Sequence, residues 1–137
     1  MTNFTVVENK ISAIQKYFGI LQRYQRHTQQ EIESDIELRG AVERYLYLIT
    51  QTVIDLAEAI ISLKNYRKPT TLAETFRILN EAGMIDPILT EKMVKMTGFR
   101  NIIAHDYEDL DYTIVYRVLH AGLQDIHTFL EQIQKQI

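Results

Sequence analysis

Val42-Glu43-Arg44-Tyr45-Leu46-Tyr47-Leu48-Ile49-Thr50-Gln51-Thr52-Val53-Ile54-Asp55-Leu56-Ala57-Glu58-Ala59-Ile60-Ile61-Ser62-Leu63 decides the fold class. Val42, Leu46, Ile49, Val53, Leu56, Ile60 and Leu63 recur at alternating intervals of four and three. That spacing returns each side chain to one face of an α-helix and to neither face of a strand. Ile32, Ile36 and Leu38 extend the stripe upstream, with Gly40 inside it. A glycine costs about 1 kcal/mol in a helix interior, so a break, kink or close contact is expected there.

The same period holds on both sides of this segment. Phe4, Val7, Ile11, Ile14, Phe18 and Leu21 mark a first helix. The polar run from Gln22 to Gln30 then reads as its end and a turn. Downstream, Tyr66-Arg67-Lys68-Pro69 reads as a loop, and Thr71-Leu72-Ala73-Glu74 has the capping-box pattern. The short helix it opens presents Leu72, Phe76 and Leu79, with Gly83 as its stop. Asp86-Pro87 opens the next helix, Asp as cap and Pro at the first helical position. That helix carries Ile88, Leu89, Met93, Met96, Phe99, Ile102 and Ile103 and is expected to end near His105. Asp109 and Asp111 offer caps for a last helix carrying Ile114, Val115, Val118, Leu119, Gly122, Leu123, Ile126, Leu130 and Ile133. No run alternates apolar and polar residues between hairpin turns. The expectation is an all-α bundle of about five or six helices, one domain over residues 1–137.

Composition narrows the function. There is no cysteine, hence no disulfide and no thiolate metal site. The N-terminus lacks the layout of a signal peptide, and no apolar run looks long enough to span a bilayer, so a soluble, cytoplasmic protein is expected. The net charge of −3 argues against gripping nucleic acid over the whole surface. It leaves room for a local basic cleft drawn from Arg23, Arg26, Arg44, Lys64, Arg67, Lys68, Lys92, Lys95 and Arg100.

Arg100-Asn101-Ile102-Ile103-Ala104-His105-Asp106-Tyr107 concentrates the chemistry: a permanent cation, an imidazole and a phenol in one octet. Arg100 and His105 point about 140° apart on an ideal helix. Either the helix unwinds before His105, or two copies of the site meet across a symmetric interface. The second arrangement puts two Arg and two His in one cleft and suits phosphodiester cleavage without a metal. One imidazole takes the proton of the attacking ribose 2′-hydroxyl, and the other protonates the leaving 5′-oxygen. The guanidinium stabilises charge on the phosphate.

Each residue also has a plainer reading. Arg100 pairs with a surface carboxylate such as Glu108 or Asp109. His105 sits at a helix C-terminus because the dipole favours it. Tyr107 packs with its hydroxyl at the surface. Outside the octet, Glu43-Arg44 reads as a solvated or ion-paired patch, with RNA positioning by Arg44 as the alternative. Tyr45, Tyr47, Tyr112 and Tyr116 read as packing or interface groups. His27, His120 and His127 read as structural or solvated, since His120 and His127 find no third zinc ligand.

The chain resembles the HEPN superfamily, and within it the HepT-like toxins paired with minimal nucleotidyltransferase (MNT) antitoxins. The likeness rests on Gly40-Ala41-Val42-Glu43-Arg44-Tyr45-Leu46, Val53-Ile54-Asp55-Leu56-Ala57, Glu74-Thr75-Phe76-Arg77-Ile78-Leu79, Ala82-Gly83-Met84-Ile85 and the octet, whose Arg, four residues, His, one residue, Tyr is the family signature. Ala104 stands where the family usually has Val. The resemblance implies a metal-independent endoribonuclease toxin of a type VII toxin–antitoxin module, acting on RNA as a homodimer without a cofactor. It implies catalytic roles for Arg100 and His105, supporting roles for Asn101 and Asp106, and adenylylation of Tyr107 by the partner nucleotidyltransferase. Two other functions stay open on the residues: a non-catalytic HEPN module binding nucleotide or substrate for a partner nucleotidyltransferase, and a structural helical dimerisation protein.

Overall fold

The computed structural model describes residues 3–105 and 107–137, with Tyr107 by its backbone alone. Its elements are α1 (Asn3–Tyr24), α2 (Gln29–Ser34), α3 (Ile36–Leu63), α4 (Leu72–Glu81), α5 (Pro87–His105), a 3₁₀ turn (Tyr107–Asp109), α6 (Tyr112–Arg117), a π segment (Val118–Gly122) and α7 (Leu123–Gln134). Helical backbone is continuous over 112–134, so that stretch forms one rod and the bundle has six among the described residues. The all-α expectation holds.

α3 is the axis. Val42, Leu46, Ile49, Val53, Leu56 and Ile60 of the stripe are fully buried, as are Ile54 and Ala57 beside them. α1 lies along it through Val7, Ile14 and Leu21, also fully buried. Burying a Leu, Ile or Val side chain contributes about 1.5–3 kcal/mol. α4, α5 and α7 close the other side, where Phe76 and Phe129 meet edge to face at 5.7 Å. By length and composition α3 is apolar enough to cross a membrane, which corrects the expectation that no run is. Its apolar face is spent on the protein's own core.

The break in the α2–α3 stripe falls at Asp35 rather than at Gly40. The Asp35 carboxylate accepts from the amides of Glu37 and Leu38 and caps α3. Gly40 stays helical and exposed, and a Cβ there would meet nothing within 4 Å. One glycine costs less than the flanking buried side chains contribute. A full capping box stands at Thr28 and Glu31, inside the polar run that reads as a turn. At Thr71 only half of the expected box forms. The Thr71 hydroxyl accepts from the Glu74 amide, while the Glu74 carboxylate accepts from the Thr70 amide and from Arg67.

Gly83 ends α4 as expected, with φ of 76° and the Met84 amide donating to the Leu79 carbonyl. Asp86 caps α5 through the Leu89 amide, 2.7 Å. The same carboxylate accepts from the Gln132 side chain, whose oxygen takes the Asp86 amide, tying α5 to α7. Five expected core residues lie outside instead: Ile36 is 84% exposed, Ile88 73%, Phe4 49%, Ile102 42% and Ile114 36%.

The π segment has no signal in the apolar spacing. A π turn displaces backbone carbonyls from helical partners, and the turn just past α1 meets one of them here. The Gln25 side chain donates to the Leu119 carbonyl, 2.8 Å. His120 places Nδ1 at 2.9 Å from the Tyr116 carbonyl and Nε2 at 3.3 Å from the Gln25 carbonyl. His120 is thus structural, as expected. His127 lies 3.3 Å from Glu131, and His27 lies 3.8 Å from Glu31.

Candidate active site

Arg100 to His105 form the C-terminal end of α5, and Arg100 meets the middle of α3. α5 remains helical through His105. The option in which the helix unwinds before His105 is therefore not the one adopted. Arg100 and His105 keep their angular separation of about 140° within one chain.

Arg100 is half-buried and firmly held. Its Nε–H donates to Gln51 Oε1 at 2.6 Å, and Nη1 donates to Asn101 Oδ1 at 3.0 Å. The guanidinium carbon lies 5.9 Å from the centre of the Tyr47 ring, and that of Arg44 lies 5.8 Å from the same ring. Both distances are near the outer limit of cation–π attraction. Glu108 and Asp109 do not pair with Arg100 among the described residues. Among the described residues, Arg100 is anchored by two neutral amides, Gln51 and Asn101, in place of the surface ion pair of the plainer reading.

Asn101 is exposed and accepts a hydrogen bond from Arg100 Nη1. His105 is exposed on the last turn of α5 and makes no hydrogen bond or ion pair among the described residues. Asp106 and the Tyr107 side chain lie outside the described residues; the Tyr107 backbone opens the 3₁₀ turn.

Two of the candidate cleft cations are paired with carboxylates. Arg67 is committed to Glu81 and Glu74, and Lys92 to Asp125. Glu43 pairs with Arg39, which leaves the exposed Arg44 beside Tyr47 as a second cation at the site. The Tyr47 ring lies within about 6 Å of two guanidiniums, a setting not evident in its sequence context. Tyr112 is buried and Tyr116 stacks at 4.4 Å on His120, so both pack as expected.

Gln51 is the site residue that the motif does not reveal, because 49 positions separate it from Arg100. The available signal was a polar pair, Gln51 and Asp55, in the middle of an otherwise apolar helix. Arg44, Tyr47 and Gln51 also recur at helical spacing on the same face.

Residues 14–133 match the ribonuclease HepT-like family. The chain belongs to that family. It is 28% identical to a tRNA nuclease HepT of Aphanizomenon flos-aquae, over 100% of this chain and 95% of the relative. It is also 28% identical to an mRNA nuclease HepT of Shewanella oneidensis, over 96% of this chain and 98% of the relative. In structure it resembles the tri-AMPylated HEPN toxin of Shewanella oneidensis in complex with its MNT antitoxin. The TM-score is 0.85 at 27% identity, covering 95% of this chain and 97% of that one. HepT-like membership agrees with the resemblance carried by the octet.

Proposed function

We propose that this protein is a metal-independent endoribonuclease, the toxin of a type VII toxin–antitoxin module, with its site completed by a second copy of the chain. The carrying observation is a guanidinium anchored by neutral amides, with no carboxylate partner among the described residues, and an exposed imidazole, held apart on one unbroken helix of a HepT-like chain. Facing copies of α5 would bring Arg100 of one chain toward His105 of the other. The exposed Ile102 lies between them in sequence and supplies apolar surface for such a contact.

In this site Arg100 binds the scissile phosphate, with Asn101 supporting it. One His105 accepts the proton of the ribose 2′-hydroxyl as its oxygen attacks phosphorus. The bond from phosphorus to the 5′-oxygen breaks, and the second His105 donates a proton to that oxygen. The products are a 2′,3′-cyclic phosphate and a 5′-hydroxyl end. Arg100 offsets the charge that grows on the phosphate oxygens.

The partner is an MNT-type nucleotidyltransferase that adenylylates Tyr107, and Asp106 is a supporting polar group. An AMP group two residues from His105 adds negative charge and bulk where the RNA phosphate must lie. Names of the relatives include both tRNA and mRNA nucleases, so the substrate class is RNA. The place of action is the cytoplasm. Expression without the partner is expected to arrest growth, and His105→Ala is expected to abolish the arrest. Equal toxicity of parent and variant at equal protein level would refute the catalytic reading.

A further inference from the structure

We propose that Gln51 is a positioning residue of the site: braced by Asp55, it fixes the Arg100 guanidinium for phosphate and acts on cleavage only through Arg100. This rests on the reading of Arg100 as the phosphate-binding cation.

The geometry allows one orientation of the Gln51 amide. Gln51 Nε2 donates to Asp55 Oδ1 at 2.9 Å, and Oε1 accepts from Arg100 Nε at 2.6 Å. An ionised carboxylate only accepts and a guanidinium only donates, so a flipped amide would lose both bonds. Gln51 and Asp55 are four apart on α3 and therefore adjacent on its surface. Asp55 is backed from α1 by Lys10, whose Nζ lies 3.6 Å from Oδ2. The relay Lys10–Asp55–Gln51–Arg100 thus crosses from α1 through α3 to α5 and ends on the cation of the site.

The chemistry of this brace differs from that of an ion pair. A carboxylate at position 51 would hold the guanidinium but neutralise it. A neutral amide holds it and leaves its charge for the substrate. With Nε taken by Gln51 and Nη1 by Asn101, Nη2 has no partner among the described residues and is free to meet a phosphate oxygen. Thr50 and Thr52 beside Gln51 turn their hydroxyls back to the Leu46 and Leu48 carbonyls. Gln51 alone of these three spends its polar group on α5.

The test compares the full-length parent with Gln51→Leu, Gln51→Glu, Asp55→Asn, Arg100→Lys and His105→Ala. The readouts are RNA cleavage kinetics, thermal unfolding, and the Arg100 Nε–Hε resonance in nitrogen-15 NMR. Gln51→Leu is expected to keep the unfolding midpoint, lose the protected Nε–Hε resonance, and lower kcat/KM about 10- to 100-fold, as expected for a displaced catalytic group. Gln51→Glu restores the acceptor and recovers the resonance, but not full cleavage. The effects of Gln51→Leu and Arg100→Lys are expected to be less than additive, because both act on one group. Should Gln51→Leu fail to fold, Asp55→Asn reads the same relay, with a smaller fall in cleavage and a broadened resonance. Cleavage by Gln51→Leu within about twofold of the parent, with His105→Ala dead, would overturn the positioning role and leave the site reading intact. Parental cleavage by His105→Ala and Arg100→Lys would overturn both.

Discussion

Arg100 and His105 lie on one unbroken helix and face directions about 140° apart. The cation is braced against α3 by Gln51, while the imidazole stands in solvent. On the proposed reading, a site built from both groups needs a second copy of the chain. Arg100→Ala and His105→Ala are each expected to be inactive alone. Because the proposed cleft uses one His105 from each copy, mixed dimers of a parent chain and a His105→Ala chain are expected to fall well below half of parental cleavage. Mixed dimers that keep half of it or more would count against a shared site.

Tyr107 opens the 3₁₀ turn two residues after His105. Intact mass after co-expression with the neighbouring nucleotidyltransferase is expected to show AMP additions mapping to Tyr107, absent without the neighbour. Tyr107→Phe should carry no AMP at that position and stay toxic beside the partner. Modification that persists at the same level in Tyr107→Phe would move the acceptor elsewhere.

Asp86 joins the start of α5 to α7, and its carboxyl is held below its ordinary range chiefly by the Leu89 amide and then by the Gln132 side chain. A depressed carboxyl contributes stability above its unfolded pKa and loses it as pH falls through the folded one. Asp86→Ala should lower the melting temperature by a few degrees at neutral pH. The gap to the parent should narrow below the ordinary value of 3.8. A gap that stays constant down to acid pH would show that the carboxylate charge is irrelevant to the cap.

Two helical glycines should respond oppositely to alanine. Gly40 has open space where a Cβ would go, so Gly40→Ala should stabilise the protein by up to about 1 kcal/mol. At Gly122 a Cβ would lie 2.9 Å from Val118 Cγ1, on a stiff β-branched side chain inside the π segment. Gly122→Ala should destabilise despite its better helix propensity. Urea titrations of the two variants decide both signs.

The helices were legible because the apolar spacing of three and four is the physical cause of their burial. The octet was legible because its cation and imidazole are close in sequence. Legibility failed where the deciding partner was distant or the signal was local hydrogen bonding. Gln51 could not be linked to Arg100 from the order of residues. Thr28 and Glu31 looked like part of a polar turn, although their mutual capping opens α2. Ile36, Ile88 and Ile102 fit the helical period but fall on outer faces, since the period fixes a stripe and packing fixes which edge of it is covered. The π segment leaves the apolar spacing intact and shows only in the carbonyls that Gln25 and His120 meet.

RNA cleavage by the purified, unmodified chain in excess chelator tests the central claim most directly. Parent protein is expected to cleave and leave 2′,3′-cyclic phosphate ends. Arg100→Ala and His105→Ala, folded to the same melting temperature, are expected to fall by at least about 100-fold, the scale of losing one acid–base or oxyanion contact. Cleavage that both variants retain, or that the chelator abolishes in the parent, would contradict a metal-independent Arg100–His105 site.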